Sequence, residues 1–314
     1  MKKIFIIAFA LCLCLSAIGL PAAAEKKTSV VATTFPIYDW TRRVIGDSDA
    51  IDLTMLLDSG VDLHSFNPTA TDIMKIATCD LFIYVGGESD DWVEDAVRQV
   101  INADMTAVNL MEALGEAAKE EETVEGMEAE EEEEEAELDE HIWLSLRNAA
   151  LFTQTICEAL SQKNPANAEV YRANAEAYIA ELNALDARYA EMTENSCYKT
   201  LLFGDRFPFR YLVDDYGLSY YAAFKGCSAE TEASFKTVVF LAEKTDELGL
   251  PAVMTIEGTN HRIAKTIVQS TQTRDQRILA VNSMQSITSG DVKAGADYLD
   301  IMEKNLAIFQ EALN

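Results

Sequence analysis

Apolar and polar positions follow two rhythms along this chain. Short runs rich in β-branched and aromatic residues, near Ser29 to Thr34, Ile51 to Leu57, Leu81 to Val85 and Thr106 to Leu110, predict strands. Between them, Ile37 to Ile45, Ala70 to Thr78 and Asp91 to Ile101 carry apolar residues at the three-and-four spacing of a helix. The second half repeats the scheme, with strands near Thr200 to Phe203, Ser219 to Phe224, Ala252 to Ile256 and Ile278 to Asn282, then a terminal helix through Ala312. Such alternation is the mark of parallel sheets covered by helices on both faces. The expected fold class is therefore α/β, with two similar parallel-sheet domains spanning residues 25–163 and 195–314.

Residues 164–194 join them. Asn164-Pro165 opens a stretch rich in alanine, glutamate and leucine, with no further glycine or proline to about Glu194, and Pro165 suits a first helical turn. Ala168, Tyr171, Ala175, Tyr178, Leu182 and Leu185 recur at three and four. At about 1.5 Å per residue such a helix reaches roughly 45 Å, long enough to serve as a rigid backbone for both domains.

The ends and the charge add a location. Met1-Lys2-Lys3, the apolar run Ile4 to Leu20 and the small residues Ala22-Ala23-Ala24 read as a signal peptide over residues 1–24. An exported protein follows, in the periplasm or on the outer face of the cytoplasmic membrane, with Cys12 and Cys14 too early for a usual lipid-attachment site. The remaining chain carries 23 basic against 53 acidic residues. That excess repels nucleic acid and anionic membranes. About half of it lies in residues 116–140, where 15 acidic residues face one lysine, Lys119, and Glu130 to Glu135 are consecutive. Such a segment buries no core of its own and is expected to be a mobile acidic loop. Of the four cysteines left, Cys197 and Cys227 flank neighbouring predicted strands and are candidates for a disulfide, while Cys79 and Cys157 read as buried thiols.

Candidate chemistry centres on two of the three histidines, His64 and His141, each placed after an acidic, turn-forming stretch. Groups exposed at strand ends are where α/β folds build their sites, and two imidazoles suit a transition metal. Their separation of 77 positions carries no local ligand spacing, so the surrounding motifs decide. Asp62-Leu63-His64-Ser65-Phe66-Asn67-Pro68-Thr69-Ala70-Thr71-Asp72-Ile73 resembles the DPHxxxPTPxDI segment of the solute-binding proteins of zinc and manganese ABC importers, and Asp139-Glu140-His141-Ile142-Trp143-Leu144 resembles their DPHxWLDP segment. Val31 to Ile37 is similar to the family's first strand and turn, Tyr211-Leu212 through Tyr216-Gly217-Leu218 to its GYLAxxYGL element, and Tyr298 to Leu306 to its last helix.

The resemblance implies a metal site in the interdomain cleft, small domain movements, and ligands from both domains. It implies His64 and His141 as two of them. The family's third ligand falls at Arg206, which has no lone pair to offer, so Asp205 beside it becomes the expected third ligand, with Arg206 as a charge partner. The fourth position falls near Asn282, a weak neutral donor, and Glu257 matches a family glutamate that either ligates or orients a ligand. His261 reads as a surface residue at a helix start. The expected metal site is thus His64, His141, Asp205 and Glu257, holding zinc first and manganese second.

The function implied is capture of a divalent metal and delivery to an ABC permease driven by its cytoplasmic ATPase, by a monomer without enzymatic activity. A metal-chelate cargo meeting Arg206, a secreted zinc hydrolase using Glu257 as base, and a cell-surface interaction protein, as in cell adhesion, that has lost tight metal affinity are the alternatives. No His-Glu-x-x-His helix supports the hydrolase.

Overall fold

The computed structural model describes residues 26–128, 137–228, 232–258 and 260–314; the expected signal peptide lies outside them. Two four-stranded sheets carry the fold. In the first lobe β1 (Thr28–Ala32), β2 (Ile51–Met55), β3 (Leu81–Tyr84) and β4 (Thr106–Asn109) line up as β2-β1-β3-β4, every pair parallel. The central strands read as continuous apolar runs because both faces are covered. Val30, Ala32, Leu81, Phe82 and Ile83 are all fully buried.

Helices α1 (Phe35–Ile45), α2 (Ala70–Thr78), α3 (Trp92–Arg98), α4 (Leu110–Leu114) and α5 (Leu146–Lys163) complete this lobe. Pro36 stands in the first turn of α1, and α2 opens on a capping box in which Thr69 and Asp72 satisfy each other's backbone N–H groups. The long helix α6 (Ala168–Asn195) follows a 3-10 turn at Pro165–Asn167. Its buried residues Tyr171, Ala175, Tyr178, Leu182, Leu185, Tyr189 and Met192 step by four and three along one seam. That seam serves both lobes: Asn174 donates to the Val44 carbonyl at 3.0 Å near one end, and Tyr189 donates to the Met302 carbonyl at 2.7 Å near the other.

The second lobe repeats the plan. Strands β5 (Thr200–Phe207), β6 (Ser219–Lys225), β7 (Ala252–Ile256) and β8 (Arg277–Val281) order as β6-β5-β7-β8, again all parallel. They alternate with α7 (Arg210–Tyr216), α8 (Phe235–Leu248), α9 (Arg262–Ser270) and α10 (Ser289–Lys293). β5 runs four residues past its expected end because its register against β6 shifts between Phe203 and Arg206, a bulge that re-aims Asp205 and Arg206.

The terminal helix α11 (Tyr298–Ala312) returns to the first lobe. Asp39 accepts from the Tyr298 N–H at 3.1 Å, Arg43 pairs with Asp297, and the Tyr298 ring stands edge-on to Trp40 at 5.2 Å. One apolar core consequently runs through both lobes, with a smaller cluster on the outer side of the second.

One expectation here needs correction. Cys197 and Cys227 are free, because they precede β5 and follow β6 in a parallel pair and so sit at opposite ends of the sheet. Of the acidic segment 116–140, residues 129–136 lie outside the described residues, and its described flanks are hydrogen-bonded to the rest of the chain. Glu121 N donates to the Glu137 carbonyl and Asp139 N to the Lys119 carbonyl, both at 2.8 Å, while Glu128 N reaches the Ala223 carbonyl of β6 at 2.9 Å. The segment borrows order from the second lobe, which composition alone does not reveal.

Candidate metal centre

His64 sits in a 3-10 turn, Leu63–Ser65, just past β2. The Asp62 carboxylate caps that turn by accepting the His64 N–H at 3.1 Å, and its other oxygen accepts from Arg206 of the second lobe at 2.9 Å. Burial pushes the Asp62 carboxyl up, but Arg206 and His64 hold it below its ordinary value. His64 Nδ1 lies 2.8 Å from Ser89 Oγ and 3.2 Å from Glu140 Oε2. Glu140 is itself fixed by the Ser89 N–H at 2.7 Å. Burial works against its charge as well, yet the bonds from His64 and Ser89 keep it ionised below the usual range.

His141 is fully buried ahead of the turn Ile142–Leu144. Its N–H and its Nδ1 both reach Asp139 Oδ1, at 2.8 and 3.0 Å. A carboxylate only accepts, so the His141 ring carries its proton on Nδ1 and turns its Nε2 lone pair inward; the same tautomer of His64 sets its Nδ1 proton between Ser89 and the charge of Glu140. The two Nε2 atoms face one another at 3.2 Å. Two lone pairs at that distance repel unless a cation lies between them, and roughly 3.3 Å is the edge of a tetrahedron around zinc with imidazole ligands.

A third group completes the cluster. His64, His141 and Cys227 offer ligand atoms all within 4.8 Å of one another, and among the described residues no other such trio of histidine, cysteine or carboxylate side chains occurs. Cys227 follows β6 on a loop that can come this close because residue 226 is glycine: a Cβ there would lie 2.9 Å from His141 Cε1. Gly87 does the same for Glu140, whose Oε1 would lie 2.4 Å from an added Cβ. From β8 comes Gln285, whose side-chain amide lies 2.8 Å from His141 Nε2. Asn282 aims it, since its side chain accepts the Met284 N–H at 2.7 Å and holds Met284 at φ +63°.

The other expected ligands are placed apart from this cluster. Asp205 accepts from Arg206 N at 2.9 Å with one oxygen and from the Thr255 hydroxyl with the other. Glu257 accepts from Ser283 N at 2.6 Å and from Ser283 Oγ at 2.7 Å. Both line an adjoining cleft of about 570 Å³, together with Asp62, Arg206 and His261. His261 Nδ1 lies 3.2 Å from Thr255 Oγ1, at the head of α9. Sequence reasoning missed Cys227 because it was weighed as a disulfide partner, and Gln285 because attention rested on Asn282 three residues earlier. Gly226-Cys227 directly after a strand was the available signal.

The family model described as "Zinc-uptake complex component A periplasmic" matches residues 30–312. The zinc-binding lipoprotein AdcA of Streptococcus pneumoniae serotype 4 is 30% identical over 319 residues, covering 99% of this chain and 61% of that protein. The high-affinity zinc uptake system protein ZnuA of Bacillus subtilis is 27% identical over 305 residues, 94% of this chain and 90% of that one. The chain spans 55–61% of the length of the AdcA relatives it matches. A crystal structure of the Zn(II)-bound ZnuA-like domain of S. pneumoniae AdcA superposes with a TM-score of 0.72 at 27% identity, covering 91% of this chain and 99% of that domain.

Proposed function

The chain belongs to the family of periplasmic zinc-uptake component A proteins, and from that membership we propose that it captures a zinc ion between its lobes and hands it to the permease of an ABC importer. The observation that carries this reading is the pair of inward lone pairs, His64 Nε2 and His141 Nε2, at 3.2 Å. Both rings are held in the ligating tautomer by carboxylates, the arrangement that orients imidazoles for a metal. Asp62, Asp139 and Glu140 add negative charge around the site without occupying the lone pairs. Manganese is the second candidate cargo.

The protein works as an exported monomer, and the energy for transport comes from the importer's cytoplasmic ATPase. Asp205 and Glu257 act as scaffold for the second-lobe wall: Glu257 holds Ser283, next to the Met284-Gln285 turn. With its carboxylate so engaged, Glu257 is a poor general base, which weighs against hydrolysis. Arg206 is committed to Asp62 and does not favour an anionic chelate.

Competition calorimetry on the metal-stripped protein, titrating zinc and manganese separately, tests the reading. One tight equivalent of zinc is expected, weakened by about 10³-fold or more in a His64→Ala, His141→Ala variant. Several weak equivalents, unaffected by that variant, would overturn it.

A further inference from the structure

We propose that Cys227 is the third protein ligand of this site and that the Gln285 side-chain oxygen is the fourth, making a two-imidazole, one-thiolate, one-amide centre that selects zinc over manganese. The proposal rests on the zinc-capture reading above and assigns it a ligand set. Among the described residues, Cys227 is the one histidine, cysteine or carboxylate side chain whose ligand atom joins the histidine pair within 4.8 Å. Its approach is built in. The loop crosses the His141 ring where only glycine fits, at Gly226, and the Cys227 N–H is anchored at 2.9 Å to the Glu121 carboxylate of the acidic segment.

The competing donors are spent elsewhere. Arg206 ligates nothing and is paired with Asp62, while both oxygens of Asp205 and both of Glu257 accept hydrogen bonds from their own lobe. Gln285 is suited to its part by a swivel of its amide. As placed, its nitrogen lies toward His141 Nε2 and its oxygen lies 3.0 Å from Ser283 Oγ. Rotating the amide by half a turn presents the oxygen to the metal and lets the nitrogen donate to Ser283 Oγ, whose proton goes to Glu257. Amide orientation follows the local hydrogen-bond network, so a cation at this point reverses it.

The three ligand atoms all lie within 4.8 Å of one another, and an imidazole-to-thiolate edge around zinc is roughly 3.5 Å. Binding therefore draws the β6 loop inward by no more than about an ångström, and the thiol proton passes to solvent as the sulfur–metal bond forms. A thiolate is soft and favours zinc; manganese prefers carboxylate and carbonyl oxygen.

Cobalt(II) bound to the full chain is the probe. An intense near-ultraviolet sulfur-to-cobalt charge-transfer band is expected in the parent and in Cys197→Ser, and its loss in Cys227→Ser. Zinc affinity should fall by about 10²-fold or more in Cys227→Ser, beyond the cost of losing an outer partner, with manganese affinity little changed. Cys227→His should restore zinc affinity to within about tenfold without restoring the band, which separates loss of a donor from misfolding. Cobalt bound to the parent without the band, or a band that persists in Cys227→Ser, would overturn the ligand set and leave zinc capture standing. Failure of the parent to bind either zinc or cobalt would overturn both.

Discussion

The two lobes share a strand order and differ in how finished they are. In the first, the loop after β2 and the segment ahead of α5 present His64 and His141 with ring orientation, tautomer and backbone already fixed by Asp62, Ser89, Asp139 and Glu140. In the second, the loop after β6, in the place corresponding to the His64 loop, offers one half-buried cysteine, while Asp205 and Glu257 at the ends of β5 and β7 bond to their own lobe. A shared plan has not imposed symmetry of chemistry. On the proposed reading, a preorganised lobe captures the ion and a less committed lobe closes on it, since only differential contacts in the closed state shift that equilibrium.

If capture belongs to the first lobe, His141→Ala should have the largest effect. Zinc affinity should fall by about 10³-fold or more in a chelator-competition titration, with folding preserved; a drop under about tenfold would mean that the second lobe carries the site. Glu140→Gln comes next. It keeps the shape and the bond from Ser89 but removes the charge beside His64 Nδ1, so affinity should fall by about 10–100-fold. An equal loss from Glu257→Gln, whose carboxylate is bonded to Ser283, would erase the distinction between lobes.

The smallest effect concerns stability. Asp90 is buried in the first lobe with one oxygen accepting the Gly86 N–H at 2.9 Å and the other without a hydrogen-bond partner; burial, aided by the Glu140 charge, pushes its carboxyl up to about 7. A carboxyl whose folded pKa is raised loses stability as pH rises from its ordinary range, about 4, to about 7, because over that range the unfolded chain releases the proton that the folded state still holds. Asp90→Asn should therefore stabilise the protein by about 1 kcal/mol or more at pH 8 and less near pH 4.5, read from urea unfolding at the two pH values. An equal gain at both would show that the folded-state carboxyl of Asp90 is not raised above its unfolded value.

Much of this fold was legible because parallel strands buried on both faces and amphipathic helices leave distinct periods. The helix Ala70–Thr78 and the strand Ala252–Ile256 fall where the pattern put them. The histidines were legible through their flanking acidic residues. What stayed hidden depends on long-range geometry. A bulge in β5 turns Arg206 toward Asp62, a lobe away. The parallel sense of β5 and β6 separates Cys197 from Cys227 by the length of the sheet. The acidic segment reads as unstructured because its partners, Tyr211 and Ala223, lie about a hundred residues downstream.

The return of α11 to the first lobe has a consequence for the order of events during synthesis. Trp40, Asp39 and Arg43 emerge early, but the partners that cover them, Asp297 and Tyr298, come from the last stretch of the chain. Domains ordinarily fold as they emerge, first lobe first. Here the cover over Trp40 and Asp39 waits for a helix whose Tyr298 lies 259 residues beyond Asp39.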